Sequence, residues 1–343
     1  MKKFSLRRVF LFLYRGCVLG LLAAVLFAGT ENFSKNLSDP DRIAGILLSA
    51  AIPASADSGG DPLLPALPPE ETAFTEEKTS PDAETKTDPS PILPPEGSTL
   101  IRRTDLSSPP GSVINQTPFD PFEPQTVFLP IPDRDADGPV VLVLHTHGTE
   151  SFSENGEYFT EETPTRTSQT DRNVVAVGDA FCEELTGQGI GVLHCRTLFD
   201  LDSYNDAYRL SGEAVASYLE EYPSLRFVFD IHRDSISYED GSKARLLSES
   251  GKAQIMFVVG SDEAGADHPF WRKNLALAFS LNSLLALREP TLTRAVNLRS
   301  ASFNQQLSGG FLLVEIGSCG NTLAEAKEAA ITFADVFYDY LSK

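Results

Sequence analysis

The sequence predicts an α/β fold, a single domain with a mostly parallel central sheet flanked by helices, over residues 135–343. It is preceded by a transmembrane helix and a disordered linker. Three observations carry this. From residue 139 onward, short apolar runs alternate with longer stretches of helical apolar spacing. The runs at 140–144, 227–229 and 311–314 are continuously apolar rather than alternating, as in strands buried on both faces. The chain before residue 135 has a different composition, first basic and apolar, then rich in Pro and acids.

The first segment, 1–30, reads as a cytoplasmic tip and membrane anchor. Lys2, Lys3, Arg7 and Arg8 precede an apolar stretch from Phe10 to Ala28, in which Arg15 is the one charged residue. A spanning helix needs about 20 apolar residues, and the basic cluster predicts that the N-terminus stays inside, with the rest of the chain extracytoplasmic at the cell membrane. A cleaved signal peptide is the rival reading; the small residues Pro53-Ala54-Ser55-Ala56 lie far beyond the apolar core. Residues 31–134 read as a Pro-rich acidic extracytoplasmic linker. Its composition buries too little apolar surface to offset ordering entropy. Residues 113–132 are more apolar and are expected to lie against the domain as an arm.

Within the domain the spacing predicts strands at 140–144, 189–193, 225–231, 253–259, 295–298 and 311–315. Helices are expected at 172–186, 204–221, 269–287 and 322–341, the last with Asn321 as N-cap. The polar loop at 151–171 is long for an α/β connection and is expected to shape a groove.

The net charge is −20, and residues 135–343 carry 16 Lys/Arg against 31 Asp/Glu. That excludes nucleic acid as a natural partner, since an acidic domain is repelled by phosphates. Cys17, Cys182, Cys195 and Cys319 show no metal or redox spacing, and the last three read as buried and reduced.

Three predicted strands end in reactive groups: Leu144-His145-Thr146-His147-Gly148-Thr149-Glu150-Ser151, Asp230-Ile231-His232-Arg233-Asp234 and Val314-Glu315-Ile316-Gly317. Ligand sites in open α/β sheets lie beyond the carboxyl ends of strands. Catalytic zinc takes three His or Asp/Glu ligands and keeps one position open. His147, Glu150 and His232 make such a set, with Glu315 as general base. His145 either is a hydrogen-bonded strand-end histidine or replaces His147 as the ligand; the motif spacing to Glu150 favours His147. Asp230 and Asp234 are candidates to orient His232 or to bind in its place, and Asp171 is the rival carboxylate. Arg233 either binds a substrate carboxylate or pairs with the aspartates. His194 and His268 read as surface or capping residues.

These motifs, with Arg172-Asn173-Val174-Val175-Ala176-Val177-Gly178 and Asn321-Thr322, together resemble the stage II sporulation protein P family over residues 139–343. The resemblance implies a fold related to zinc N-acetylmuramoyl-L-alanine amidases and zinc carboxypeptidases. It implies cleavage of peptidoglycan between muramic acid and the stem peptide, and of peptide cross-links. It also implies a role in forespore engulfment beside a sporulation protein D-like glycan-cleaving enzyme. The competing functional readings are a zinc carboxypeptidase or deacylase on another substrate, and a non-catalytic wall-binding module.

Overall fold

The computed structural model describes residues 94–121, 138–160 and 165–342, and the backbone of residues 72–73. In chain order the strands are β1 (Thr72–Ala73), β2 (Thr99–Thr104), β3 (Val113–Asn115), β4 (Val141–Leu144), β5 (Tyr158–Phe159), β6 (Val192–His194), β7 (Phe227–Asp234), β8 (Ile236–Ser237), β9 (Lys243–Leu246), β10 (Ile255–Val259), β11 (Val296–Leu298) and β12 (Phe311–Ser318). The helices are α1 (Val174–Gly187), α2 (Ala207–Glu221), α3 (Trp271–Arg288) and α4 (Leu323–Leu341).

Seven strands form the central sheet in the order β3-β11-β10-β12-β7-β4-β6. Every neighbouring pair is parallel except β10 with β12, so the expected mostly parallel sheet is present. Its central strands are apolar on both faces because both are covered. Val141, Val143, Phe227, Phe229, Ile231 and Val314 pack into a core with α1, α3 and α4. Leu142, Leu144 and Val228 face the other way, against Ala207 and Val215 of α2. Two consecutive residues of β4 thus serve opposite layers, the period-2 geometry of a strand.

A smaller sheet, β1-β8-β9-β2-β5, stands at the carboxyl end of β7. Here the structure departs from the composition. Residues 94–121 fall within the range read as linker, yet β2 pairs in parallel with β9 from Ile101↔Lys243 to Thr104↔Leu246, and β3 pairs with β11. Backbone ladders need no apolar composition, so polar flanks conceal such strands. The arm expected over 113–132 is seen in part: Phe119 stacks on Trp271 with ring centroids 5.1 Å apart. The loop at 151–171 contributes β5, antiparallel to β2.

Thr322, rather than Asn321, caps α4. Its side chain accepts from the Glu325 backbone N–H, while the Glu325 carboxylate accepts from Thr322 N–H, a complete capping box. Asn321 instead clamps β9, accepting from Leu246 N–H and donating to Leu246 O, both at 2.9 Å. Cys182, Cys195 and Cys319 are free and buried. The anchor expected over 1–30 lies outside the described residues, among which no helix is long and apolar enough to cross a membrane.

Candidate active site

His145 extends the register of Val141 and Val143 and faces α1. Its ring lies against Gly178, where an added Cβ would stand 2.6 Å from Nε2. Nδ1 is 2.8 Å from Ile231 O and Nε2 is 2.9 Å from His194 Nε2. Burial, reinforced by His194, lowers its pKa to about 3. Both nitrogens are therefore engaged behind the sheet. His194 is its partner rather than a surface residue, and binds Asp179 at 3.1 Å through Nδ1. His268 is likewise buried, not exposed.

His147 lies two residues further on, in the turn beyond β4, on the other side of the sheet. Its ring stacks on Tyr204 at 4.1 Å and 6° and meets His232 edge-on at 5.5 Å and 83°. Nδ1 is buried without a hydrogen-bond partner among the described residues; Asp200 Oδ2 lies 3.9 Å away. Burial lowers the His147 pKa to about 4, more than Glu150 raises it. The ring is neutral at physiological pH and keeps a lone pair for a ligand.

Glu150 is buried at the end of the same turn. Burial alone would push its pKa up, but Arg233, His232 and His147 hold it ionised, below the usual carboxylate range. Oε2 accepts from Arg233 N–H at 3.2 Å and lies 3.5 Å from His232 Nδ1. Oε1 is 3.7 Å from Arg166 Nη2.

His232 reaches this turn from β7. Nε2 is 2.9 Å from Asp230 Oδ1, leaving Nδ1 toward Glu150. Burial opposes its charge, yet Asp230 and Glu150 raise its pKa well above the ordinary value. Asp230 is fixed in turn by Thr146, whose N–H and Oγ1–H donate at 2.7 and 2.6 Å. It is thus a carboxylate behind the imidazole that sets which nitrogen faces forward. Glu315 sits directly beside His232, paired with it in the β7–β12 register, and is 6% exposed. Paired residues of adjacent strands share a face, so the glutamate joins the same cluster.

Other sequence candidates are placed elsewhere. Asp234 is bound to Arg294 at 2.8 Å, and Asp171 is exposed before α1. Arg233 turns inward. Its guanidinium is buried, donating from Nε to Ser151 O at 2.9 Å and from Nη2 to Thr165 O at 2.8 Å. It ties the 151–165 loop to the end of β7. Three residues were missed by sequence reasoning: Asp200, Tyr204 and Arg166. Asp200 accepts from Thr149 N–H at 3.1 Å, from Thr149 Oγ1–H at 2.6 Å and from Arg166 Nη1 at 2.7 Å. Arg166 lies over the Tyr204 ring at 4.8 Å. None carries a motif; only the fold brings them to His147.

The donor set of two imidazoles and one ionised carboxylate fits zinc, and the buried unpartnered nitrogen of His147 fits a ligand position. Among the described residues, no three His, Cys, Asp or Glu side chains close into a metal-holding group as they stand. Glu150 is drawn instead to the Arg233 N–H and its flanking cations.

The profile of the family described as stage II sporulation protein P matches residues 67–338. Stage II sporulation protein P of Bacillus subtilis (strain 168) is 31% identical over 214 residues, which is 59% of this chain and 51% of that protein. The match thus spans about half the length of the relative. Among solved structures, the N-acetylmuramoyl-L-alanine amidase AmiC2 of Nostoc punctiforme aligns at TM-score 0.37 and 12% identity, over 61% of this chain and all of its own. The CwlD amidase of Clostridioides difficile, solved with the GerS lipoprotein, aligns at TM-score 0.40 and 13% identity, over 59% and 98%. With a family profile spanning most of its length and a carboxylate–imidazole cluster on the motifs that first suggested the kinship, the chain belongs to the stage II sporulation protein P family.

Proposed function

We propose that this protein is a membrane-anchored, zinc-dependent peptidoglycan hydrolase. It cleaves the amide between N-acetylmuramic acid and the stem peptide, also cuts peptide cross-links, and acts in forespore engulfment beside a glycan-cleaving enzyme of the sporulation protein D type. The observation that carries this reading is the convergence of His147, Glu150 and His232 at two strand ends, with Glu315 in register beside His232. Family membership supports the substrate and the process.

His147, Glu150 and His232 would hold the ion. When bound, zinc supplies Lewis acidity toward the attacked carbonyl and toward water. Glu315 accepts the proton of the attacking water and returns it to the leaving amine. Asp230, 2.9 Å from Nε2, sits behind His232 and directs its other nitrogen, Nδ1, toward Glu150, where an ion would displace the proton that the two carboxylates favour. Tyr204 holds the plane of the His147 ring. Arg233 and Arg166 keep Glu150 ionised and seated.

The test is metal content and turnover of purified wall by the full chain. The expected outcome is one zinc per chain, loss of turnover on chelation with recovery on adding zinc, and lactyl groups of muramic acid freed from peptide. Release of free amino acids alone would favour a carboxypeptidase. Wall binding with no new amine ends would favour a non-catalytic module.

A further inference from the structure

Two consecutive residues of the turn before β12 hold left-handed backbone, Phe303 at φ 51° and Asn304 at φ 59°. Among the described residues no other non-glycine residue has a positive φ. Asparagine tolerates this conformation and a bulky phenylalanine does not, so the turn keeps it because its surroundings impose it. Gln305 supplies one constraint. It is buried, donates from Nε2 to Val258 O and accepts from Gly260 N–H, each at 2.9 Å, and so pins the turn to the end of β10. The Asn304 side chain is thereby seated on α2, so closely that a Cβ added to Gly212 would stand 2.8 Å from its Oδ1.

Both N–H bonds of the Asn304 amide are used there. Nδ2 donates to Tyr208 O at 2.7 Å and to Ser211 Oγ at 3.1 Å. Each contact leads to one histidine of the candidate site. The Tyr208 ring meets His147 edge-on at 5.4 Å and 88°. Ser211, fully buried, is 2.8 Å from Thr146 Oγ1, which is 2.6 Å from Asp230 Oδ2. Thr146 has one hydroxyl hydrogen. The shorter contact, to a carboxylate, takes it, so the bond between the two hydroxyls is donated by Ser211. The other acceptor near Ser211 Oγ, Tyr208 O, is more distant at 3.3 Å and already accepts from Asn304. The donors then run in one direction, from Asn304 to Ser211 to Thr146 to Asp230, and each bond polarises the next. At the far end Asp230 Oδ1 stands 2.9 Å from His232 Nε2.

We propose that Asn304 is a positioning residue for both histidine ligands, holding Tyr208 against His147 with one N–H and closing the donor chain behind His232 with the other. The inference rests on the reading of the cluster as a zinc site, and adds to it a residue whose amide bonds to neither histidine directly.

The experiment measures zinc affinity of the full chain by chelator competition, with the cobalt(II) absorption spectrum as a second readout. The variants are Asn304→Gly, Asn304→Asp, Ser211→Ala and Phe337→Leu. Glycine accepts the left-handed backbone, and aspartate keeps the shape of asparagine without its donors. Both Asn304 variants are expected to bind zinc about 10–100-fold more weakly and to shift the cobalt bands. Ser211→Ala, which cuts only the branch to His232, gives a smaller loss, and adding it to Asn304→Gly costs less than it does alone. Phe337→Leu, in the α4 core on the opposite face of the sheet, lowers the melting temperature and leaves affinity and spectrum unchanged. A folded Asn304 variant with the affinity and spectrum of the unsubstituted chain, or an equal loss in Phe337→Leu, would overturn the inference. Should neither Asn304 variant fold, unchanged affinity in Ser211→Ala overturns the chain behind His232. If the unsubstituted chain binds no zinc, the zinc reading fails and proton NMR decides the positioning. The Nε2–H resonance of His232 is then lost to exchange with water in Asn304→Gly and kept in Phe337→Leu; its retention in Asn304→Gly would count against the proposal.

Discussion

The two histidines of the Leu144–Glu150 turn are separated by a single residue and have different physical fates. His145 continues the strand and is enclosed by Gly178, Ile231 O and His194; His147 leaves the strand and meets Tyr204 and His232. The expected consequence is a split between two substitutions. His147→Ala lowers zinc content, read by elemental analysis, with little change in melting temperature. His145→Ala keeps the zinc but lowers the melting temperature, since truncating a buried, doubly bonded ring leaves Ile231 O and His194 without their partner. Glu315→Gln is expected to reduce turnover by about 10²–10⁴-fold, the usual contribution of a general base, with zinc content unchanged. Cys182 offers a test independent of the site. Burial, aided by Asp179 and Glu183, raises its thiol pKa to about 12. At pH 8 it is protonated in the folded chain. Alkylation followed by mass spectrometry should therefore be slow until denaturant is added.

At the scale of elements, the site depends on how α1 lies on the sheet. Gly178 permits His145 and His194 to occupy the space a side chain would take: a Cβ added there would stand 2.7 Å from His145 Cε1 and 2.9 Å from His194 Nε2. Gly178→Ala is expected to destabilise the fold by about 1–3 kcal/mol through overpacking, read by denaturant unfolding. Elements were legible in the sequence in proportion to how much they bury. Strands β4, β7, β10 and β12 announce themselves as apolar runs because both faces are covered. β9, with alternating burial in Lys243–Leu246, and β2, half exposed, do not. The cap of α4 shows the same limit. Asn321 and Thr322 are both good capping residues, and the choice fell to Thr322 because Asn321 is taken up by the backbone of β9.

At the scale of the whole molecule, the folded unit reaches further toward the N-terminus than composition implied. β2 and β3 join different sheets, and Phe119 covers Trp271. Residues 135–343 alone would expose the edges of β9 and β11 and the face of Trp271. That shorter chain is expected to melt several degrees lower than one beginning near residue 94 and to aggregate more readily, as unpaired strand edges do; calorimetry and light scattering check this. The small sheet is also tied to α4, since β9 carries Arg245, which pairs with Glu325 at the start of that helix.

The sequence by itself determined the α/β class, the strand ends that bear His147, His232 and Glu315, and the resemblance that the family profile bears out. Those features are local: apolar runs have a length and a period, and motifs have a spacing. Only the tertiary structure decided which histidine turns toward Glu150, that Arg233 faces inward to the Ser151 and Thr165 carbonyls, and that Asp200, Tyr204 and Arg166 surround His147. Such assignments depend on which groups from distant parts of the chain compete for the same hydrogen bonds and the same volume. Spacing along the chain carries no information about that competition.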